Sequence, residues 1–249
     1  MDNLNDSSPT IIVEQYLAAS NDDDIKQNYK GLRIHALPGL HDFIFSKISQ
    51  LIPSESTILE LAAGSGAMSL RLKDHSFQVT ATDYVPTNFR LHGTVPFFEA
   101  DLNGKFSEGI ENKFDAIVAT EIIEHLENPR HFSRQCFKIL KKGGKIIFST
   151  PNIDSAASIV SHIRNGTYHW FSDNDYTNQG HITPLMQWQI NKCFIEAEFK
   201  FIFKGSFGNP YERFHGSPRL GLFSKLINKL SSLPDDLKGQ IFVAAAVKP

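Results

Sequence analysis

The sequence lacks the features that mark membrane, secreted and nucleic-acid-binding chains. Its apolar runs all fall short of the roughly 20 residues that a membrane span needs. The only cysteines, Cys136 and Cys193, form neither a CxxC motif nor a zinc pattern, which suggests free thiols in a reducing compartment. A net charge of −2 gives no electrostatic sign of a nucleic-acid partner. Because the start, MDNLNDSSPT, also lacks a basic region followed by an apolar one, a cytoplasmic location is expected.

The apolar pattern predicts an α/β fold. The 249 residues, 41% of them hydrophobic, suffice for one sizeable core, or for one core with a small lobe. Short β-like runs alternate with helical ones, which favours a mostly parallel sheet with helices on both faces. The predicted strands are TILEL, FQVTATD, PFFEAD, FDAIVAT and GKIIFST, followed by FKFIFKGSF and QIFVAAAV as a terminal antiparallel pair. The stretch PGLHDFIFSKISQLIP has helical spacing, with Pro53 as a stop. The other predicted helices are Ala67–Lys73 and Pro129–Leu140, the last closed by KKGG.

The stretch ILELAAGSGAMSLRL predicts a ligand cradle, because an apolar strand ends in a glycine turn that opens a helix. The dinucleotide-binding motif G-x-G-x-x-G has a third glycine, and this sequence has Ser69 at that position. Glu60, beside the turn, would repel a pyrophosphate. It suits a ligand with a cationic head, such as the ammonium and sulfonium groups of S-adenosylmethionine (SAM).

Two further acids extend the cradle. Asp83 ends the second predicted strand and can accept both ribose hydroxyls, and Asp101 ends the third and can accept from an adenine amino group. The carboxyl ends of parallel strands share one edge of the sheet, where ligands bind. The alternative is that each acid caps only a helix or a turn.

These motifs, with FDAIVATEIIEHLENP and LKKGGKIIFSTPN, resemble the class I SAM-dependent methyltransferases, and the ubiquinone-biosynthesis type O-methyltransferases in particular. The resemblance implies a Rossmann-like, seven-stranded sheet whose last strand is antiparallel, with helical and lid insertions. Residues 1–54 would be a tail and helices that cap the site, and 55–249 the methyltransferase domain, with a lid at about 160–185 and an insert at about 208–238. The implied SAM-binding residues are Glu60, Ala62, Gly64, Ser65, Gly66, Asp83, Tyr84, Asp101, Leu102 and Thr120. Alanine replaces the usual glycine at position 62, where a positive φ would be costly.

A second set of residues predicts acceptor chemistry. Glu121, Glu124 and His125 stand at i, i+3 and i+4, and would share a face of one helical turn; His181 lies in GHITP. The pattern is similar to metal-dependent ubiquinone-pathway O-methyltransferases and small-RNA 2′-O-methyltransferases, which implies that these four residues hold a divalent cation such as Mg²⁺. The alternative is a metal-free turn. In either case, His125 and His181 are the candidate catalytic residues, as bases for a hydroxyl proton.

The expected function is SAM-dependent O-methylation of a small or carrier-linked metabolite, with a quinol, phenol or sugar hydroxyl as acceptor. Two alternatives stay open. One is a nucleic-acid 2′-O-methyltransferase, which the net charge of −2 disfavours. The other is a non-catalytic scaffold that binds SAM.

Two segments outside the motifs bear on partners. Residues 165–182 combine aromatic and polar side chains that would build neither a helix nor a strand, which predicts a mobile lid joined by a helical region near Arg33 and His35.

Residues 219–230 form a basic amphipathic pattern that either contacts a membrane surface or packs on the protein's own core. The sequence leaves the oligomeric state open.

Overall fold

The computed structural model describes residues 27–110, 113–211 and 217–249. The described strands are β1 Asn28–Tyr29, β2 Leu32–Arg33, β3 Thr57–Leu61, β4 Gln78–Asp83, β5 Phe97–Glu99, β6 Phe114–Ala119, β7 Leu140–Pro151, β8 Lys200–Phe207 and β9 Ile241–Val247. The described helices are α1 Leu40–Leu51, α2 Ala67–Asp74, α3 Pro129–Ile139, α4 Ala156–Asn165, α5 Asp173–Gln179, α6 Gln187–Glu196 and α7 Pro218–Leu230. No helix in these ranges is long and apolar enough to cross a membrane.

Strands β3 to β9 form one sheet of seven strands in the order β5-β4-β3-β6-β7-β9-β8. The pairs from β5 through β7 are parallel, and β9 runs antiparallel to both β7 and β8. The predicted Rossmann-like fold and its antiparallel last strand are therefore confirmed. The order reverses at β3, so β3 and β6 lie side by side and their carboxyl ends meet at the edge where α/β sheets bind ligands.

The alternation of side chains along the strands gives the sheet two buried faces. Leu59 and Leu61 of β3 join one apolar cluster together with α3 and α6. Ile58 joins the other, which holds α1 and α2. Leu40, Ile44 and Ile48 are fully buried along one stripe of α1, and each contributes about 1.5–3 kcal/mol to folding. Helix α1, which lies in the predicted N-terminal cap, is therefore part of the core. Residues 1–26 lie outside the described ranges.

The prediction that α3 closes at KKGG is wrong. The helix ends at Ile139, and Leu140 already pairs with Phe114 as the first residue of β7. The Lys248 side chain donates to the carbonyl oxygens of Phe137 and Leu140, at 2.7 and 2.9 Å, and so satisfies the end of the helix without a glycine cap.

The prediction that residues 165–182 form no helix is wrong, because α5 lies inside them. Their role as a lid stays a prediction. The Ser172 hydroxyl donates to the Asp175 carboxylate at 2.6 Å, and the same carboxylate accepts from the Ser172 amide at 2.8 Å. This capping box, with Gly180 ending the helix at φ 71°, stabilises a helix of only seven residues. The segment near Arg33 is likewise not helical, because Arg33 belongs to the β1–β2 hairpin.

Candidate active site

The glycine turn follows β3 and opens α2. Gly64 and Gly66 have φ values of 52° and 91°, in the left-handed region. A Cβ on Gly66 would lie 2.9 Å from side-chain atoms of both Phe89 and Leu91, so only glycine fits there. Ala62 also has a positive φ, of 56°, which costs a residue with a side chain about 1–2 kcal/mol. Strain held at a turn of this kind is typical of a functional site.

The Asp83 carboxylate holds this turn in place. One of its oxygens accepts from the Gly64 amide at 2.7 Å, and the other accepts from the Val85 amide at 2.9 Å. On the other side of the turn, the Ser65 hydroxyl donates to the carbonyl oxygen of Arg33 at 2.6 Å. Strand β2 therefore borders the turn. Burial raises the pKa of Asp83.

Glu60 lies beneath the turn, with 4% of its surface exposed. Its carboxylate accepts from the Ser69 hydroxyl of α2. Burial raises the pKa of Glu60 to about 8, and the nearby Asp83 carboxylate adds to this effect. Two carboxyl groups with raised pKa values favour a cationic ligand, because a nearby positive charge stabilises both of them in the ionised form.

The remaining predicted cofactor residues follow the ends of neighbouring strands. Asp101 is exposed, two residues beyond β5, and accepts from the Asn103 amide at 2.8 Å, while Leu102 is buried. Tyr84 follows β4 and is 37% exposed. Thr120 follows β6, and its hydroxyl is buried without a hydrogen-bond partner in the part of the chain that the structure describes. These residues share one sheet edge, and their contacts with SAM stay predictions.

Three of the four predicted metal-site residues come together at the same edge. The ligand atoms of Glu124, His125 and His181 all lie within 4.8 Å of one another. The two imidazole rings have their centroids 4.8 Å apart, and Nε2 of His125 lies 4.0 Å from Oε1 of Glu124. Oε2 of Glu124 accepts from the Thr150 hydroxyl at 2.9 Å. Oε1 is buried and has no hydrogen-bond partner among the described residues.

Backbone carbonyls orient both histidines. Nδ1 of His125 lies 3.1 Å from the Gly180 carbonyl oxygen, and Nδ1 of His181 lies 2.7 Å from that of Trp170. Because a carbonyl oxygen only accepts, each Nδ1 carries the ring proton and Nε2 is left as the basic atom. Burial lowers the pKa of His125 to about 3 and also lowers that of His181, so both rings are neutral near pH 7.

Glu121 is not one of the three residues whose ligand atoms lie within 4.8 Å of one another. The helical turn covers only Ile123–His125, and Glu121 precedes it with a φ of 50°. Its carboxylate accepts from the Ser149 hydroxyl at 2.7 Å. Burial raises the pKa of Glu121 to about 7. The negative charge of Glu121 adds to burial in raising the pKa of Glu124, which places the two carboxyl groups in one electrostatic neighbourhood.

Aromatic residues of the segment before α5 border this cluster. The ring of Phe171 lies 5.6 Å from that of His181. Trp170 stacks on His169 at 4.6 Å and has a φ of 69°. Its indole N–H is buried without a hydrogen-bond partner within the described ranges. Sequence reasoning could not find the part that the Trp170 and Gly180 carbonyls play, because every residue carries a carbonyl group.

A groove of about 710 Å³ opens at the opposite edge of the sheet, where β3, β4 and β6 begin. Its lysines already pair with protein atoms: Lys73 donates to the carbonyl of Thr94, and Lys141 pairs with Asp115, both at 2.8 Å. Four acids whose pKa values burial raises, Glu60, Asp83, Glu121 and Glu124, lie at or near the other edge, which is therefore the better candidate for chemistry.

Comparison with known proteins agrees with this geometry. A profile of the methyltransferase domain matches residues 33–202, more than half of the chain. A ubiquinone biosynthesis O-methyltransferase from Xanthomonas oryzae is 29% identical over 154 residues, covering 55% of this chain and 63% of the relative. One of the same name from Xylella fastidiosa is 32% identical over 136 residues, covering 51% and 54%. A solved SAM-dependent methyltransferase from Archaeoglobus fulgidus has a TM-score of 0.58 at 15% identity, covering 84% of this chain and 94% of that one.

The chain belongs to the methyltransferase domain family. The resemblance predicted from the glycine turn and the strand-end acids is confirmed. The matches reach less than two thirds of the length of these two curated relatives.

Proposed function

We propose that the protein is a SAM-dependent O-methyltransferase of a small or carrier-linked metabolite. The observation that carries the proposal is the position of the histidine cluster relative to the glycine turn. Leu61 of β3 pairs with Ala119 of β6, so the turn and the cluster start from two adjacent strand ends. Membership of the family implies SAM as the cofactor at the turn.

Methyl transfer needs little from the protein beyond alignment and removal of a proton. The acceptor oxygen attacks the methyl carbon, the carbon–sulfur bond breaks, and S-adenosylhomocysteine leaves. Alignment of donor and acceptor can supply about 7–11 kcal/mol. The hydroxyl proton passes to a base, and Nε2 of His125 or His181 is the candidate atom. Burial lowers the pKa of His125 to about 3, which weakens it as a base, so His181 is the first candidate in the absence of a cation.

The cluster also fits a divalent cation such as Mg²⁺. Glu124 offers a buried oxygen that lacks a hydrogen-bond partner among the described residues, and the two histidines offer Nε2. Glu124, His125 and His181 would hold the ion, with Glu121 as the predicted fourth ligand. A bound cation would lower the pKa of the acceptor hydroxyl. Without a cation, the histidines serve as bases alone.

A quinol, phenol or sugar is the proposed acceptor. Phe171 supplies an aromatic face 5.6 Å from His181. The neighbouring Trp170 is half-buried, and its indole N–H has no hydrogen-bond partner among the described residues. The O-methyltransferase names of the Xanthomonas and Xylella relatives point the same way. The net charge of −2 weighs against RNA, and two oriented histidines weigh against a non-catalytic scaffold. The cytoplasmic location stays a prediction.

Activity is tested with methyl-labelled SAM, the full chain and Mg²⁺. The acceptors are a metabolite extract, a panel of simple quinols, phenols and sugars, and total RNA. We expect label in a small-molecule hydroxyl. Label found only in RNA would contradict the proposal and favour a nucleic-acid 2′-O-methyltransferase. SAM binding without any methyl transfer would favour the non-catalytic scaffold.

Replacing Trp170 by alanine is expected to lower turnover or raise the KM for the acceptor, while SAM affinity changes little. The reason is that Trp170 precedes Phe171, whose ring lies 5.6 Å from that of His181, so the proposed acceptor pocket would lose an aromatic side chain. The contact between the Trp170 backbone carbonyl and His181 does not depend on the indole. The matched variant Trp170→Phe keeps an aromatic face but lacks the indole N–H, so it separates stacking from hydrogen bonding. Steady-state kinetics and calorimetry give the two readouts. An equal loss of SAM affinity would place Trp170 in the cofactor site instead.

A further inference from the structure

Helix α7 turns part of its apolar side outwards, towards solvent. Its apolar residues Leu222, Phe223, Leu226 and Leu230 are exposed to 71%, 39%, 51% and 73%. A surface helix normally turns such a stripe towards the core. The predicted apolar stripe consists of Leu220, Phe223, Leu226, Ile227 and Leu230. Packing of this stripe on the protein's own core is wrong for Phe223, Leu226 and Leu230, whereas Leu220 and Ile227 are half-buried.

The inward side of α7 carries polar groups between two half-buried apolar residues, Leu220 and Ile227. Ser224 is fully buried, and its hydroxyl has no hydrogen-bond partner within the described ranges. The side-chain oxygen of Asn228, one turn further on, is buried without a partner in the same ranges. Helix α7 packs against α4, whose Ile163 is itself 61% exposed. Unsatisfied polar groups inside and leucines outside indicate that the outer face is kept apolar for a contact.

The charges beside this stripe have one sign. Arg219, Lys225 and Lys229 are exposed, and α7 contains no Asp or Glu. None of the three forms an ion pair with the described residues. On a helix with 100° between successive residues, Lys225 and Lys229 border the Leu222–Leu226–Leu230 stripe along one side. Long lysine side chains in this position reach past an apolar stripe towards anionic groups.

We propose that the outer face of α7, with Ile163 of α4, docks on an anionic lipid bilayer. Leucine and phenylalanine side chains enter the boundary between headgroups and acyl chains, and the cations meet lipid phosphates. A protein partner would also cover apolar surface, but an interface core is depleted in lysine, whereas a lipid surface attracts it. The proposal is independent of the methyl-transfer reaction.

The test is sedimentation of the full chain with vesicles of phosphatidylcholine, with and without phosphatidylglycerol. We expect binding only to the anionic vesicles, and weaker binding as salt rises. Lys225→Glu with Lys229→Glu is expected to reduce partitioning at least about tenfold, since each cation near the surface adds substantially to binding. Leu222→Ser with Leu226→Ser is expected to reduce it to a similar extent.

Ile195→Ser is the matched control, because Ile195 is 56% exposed on α6, a helix that packs against α3 instead of α7. It is expected to leave partitioning unchanged. Thermal denaturation verifies that each variant is folded. The proposal is overturned if wild-type protein ignores anionic vesicles, or if all variants bind equally. A wild-type dimer that the leucine variant converts to monomer, without vesicle binding, would assign the face to a second copy of the chain.

Discussion

Replacing His181 by alanine is expected to lower the turnover number for methyl transfer by about 10²- to 10⁴-fold, the usual contribution of a positioned acid or base. The effect is large because the Trp170 carbonyl fixes the ring so that Nε2 joins Glu124 and His125. His75→Ala is the matched control, since that exposed histidine lies at the end of α2 and contacts the Arg71 carbonyl. Rates are measured with the acceptor that the labelling experiment identifies. A His181→Ala enzyme of wild-type turnover would contradict the assignment.

Metal titration separates the two roles that the histidine cluster can play. If the cluster holds a cation, calorimetry should detect Mg²⁺ binding by the chelator-treated wild type and a large loss of it in His181→Ala. Chelation should then also stop turnover, and added Mg²⁺ should restore it. Turnover that survives exhaustive chelation but not the substitution would leave the histidines as bases alone. Direct binding makes the result independent of the identity of the acceptor.

Much of the cofactor edge could be predicted because its signals are local. A strand of five residues, a glycine turn and a helix start lie within one stretch, and Asp83 and Asp101 follow the next two strands at their ends. In a parallel sheet, strand direction alone brings such residues to one edge. The sequence also indicated that a positive φ at Ala62 would be unfavourable. In the structure, φ of Ala62 is 56°.

The acceptor side was less predictable, since backbone geometry decides it. The spacing of Glu121, Glu124 and His125 suggested one helical face, but the helical turn covers only Ile123–His125, and Glu121 precedes it with a left-handed φ of 50°. The amides of Ile182 and Thr183 both donate to the Glu124 carbonyl, at 3.0 and 2.9 Å, and so fasten the His181 segment to that turn. Backbone contacts of this kind use groups that every residue has, and no side-chain pattern announces them.

Helix α5 was missed for a different reason. The aromatic and polar composition of residues 165–182 predicted no helix. The sequence does contain a helix start signal, Ser172 followed three residues later by Asp175, and a stop signal at Gly180, but both are short. Capping contributes about 1 kcal/mol, enough to decide the conformation of a short helix that has little apolar surface to bury.

Replacing Asp83 by alanine is expected to weaken SAM binding by about 1.5–3 kcal/mol, or about 10- to 150-fold, through loss of a charged hydrogen-bond acceptor. The upper end is expected because the same carboxylate accepts from the Gly64 amide and holds the glycine turn. Asp83→Asn retains one acceptor oxygen and should lose less affinity. Asp235→Ala, at a carboxylate that is 95% exposed, is the control and should leave affinity unchanged.

Calorimetry with SAM and with S-adenosylhomocysteine measures this effect, and thermal denaturation verifies that the variants fold. The two ligands also separate the acids by role. Asp83 is predicted to contact the ribose that both ligands share, so Asp83→Ala should weaken both equally. Glu60 lies beneath the turn and is predicted to favour positive charge, so Glu60→Gln should weaken SAM more than S-adenosylhomocysteine, which lacks the sulfonium. Unchanged affinity in Asp83→Ala, or binding of NAD in place of SAM by the wild type, would refute the cofactor assignment.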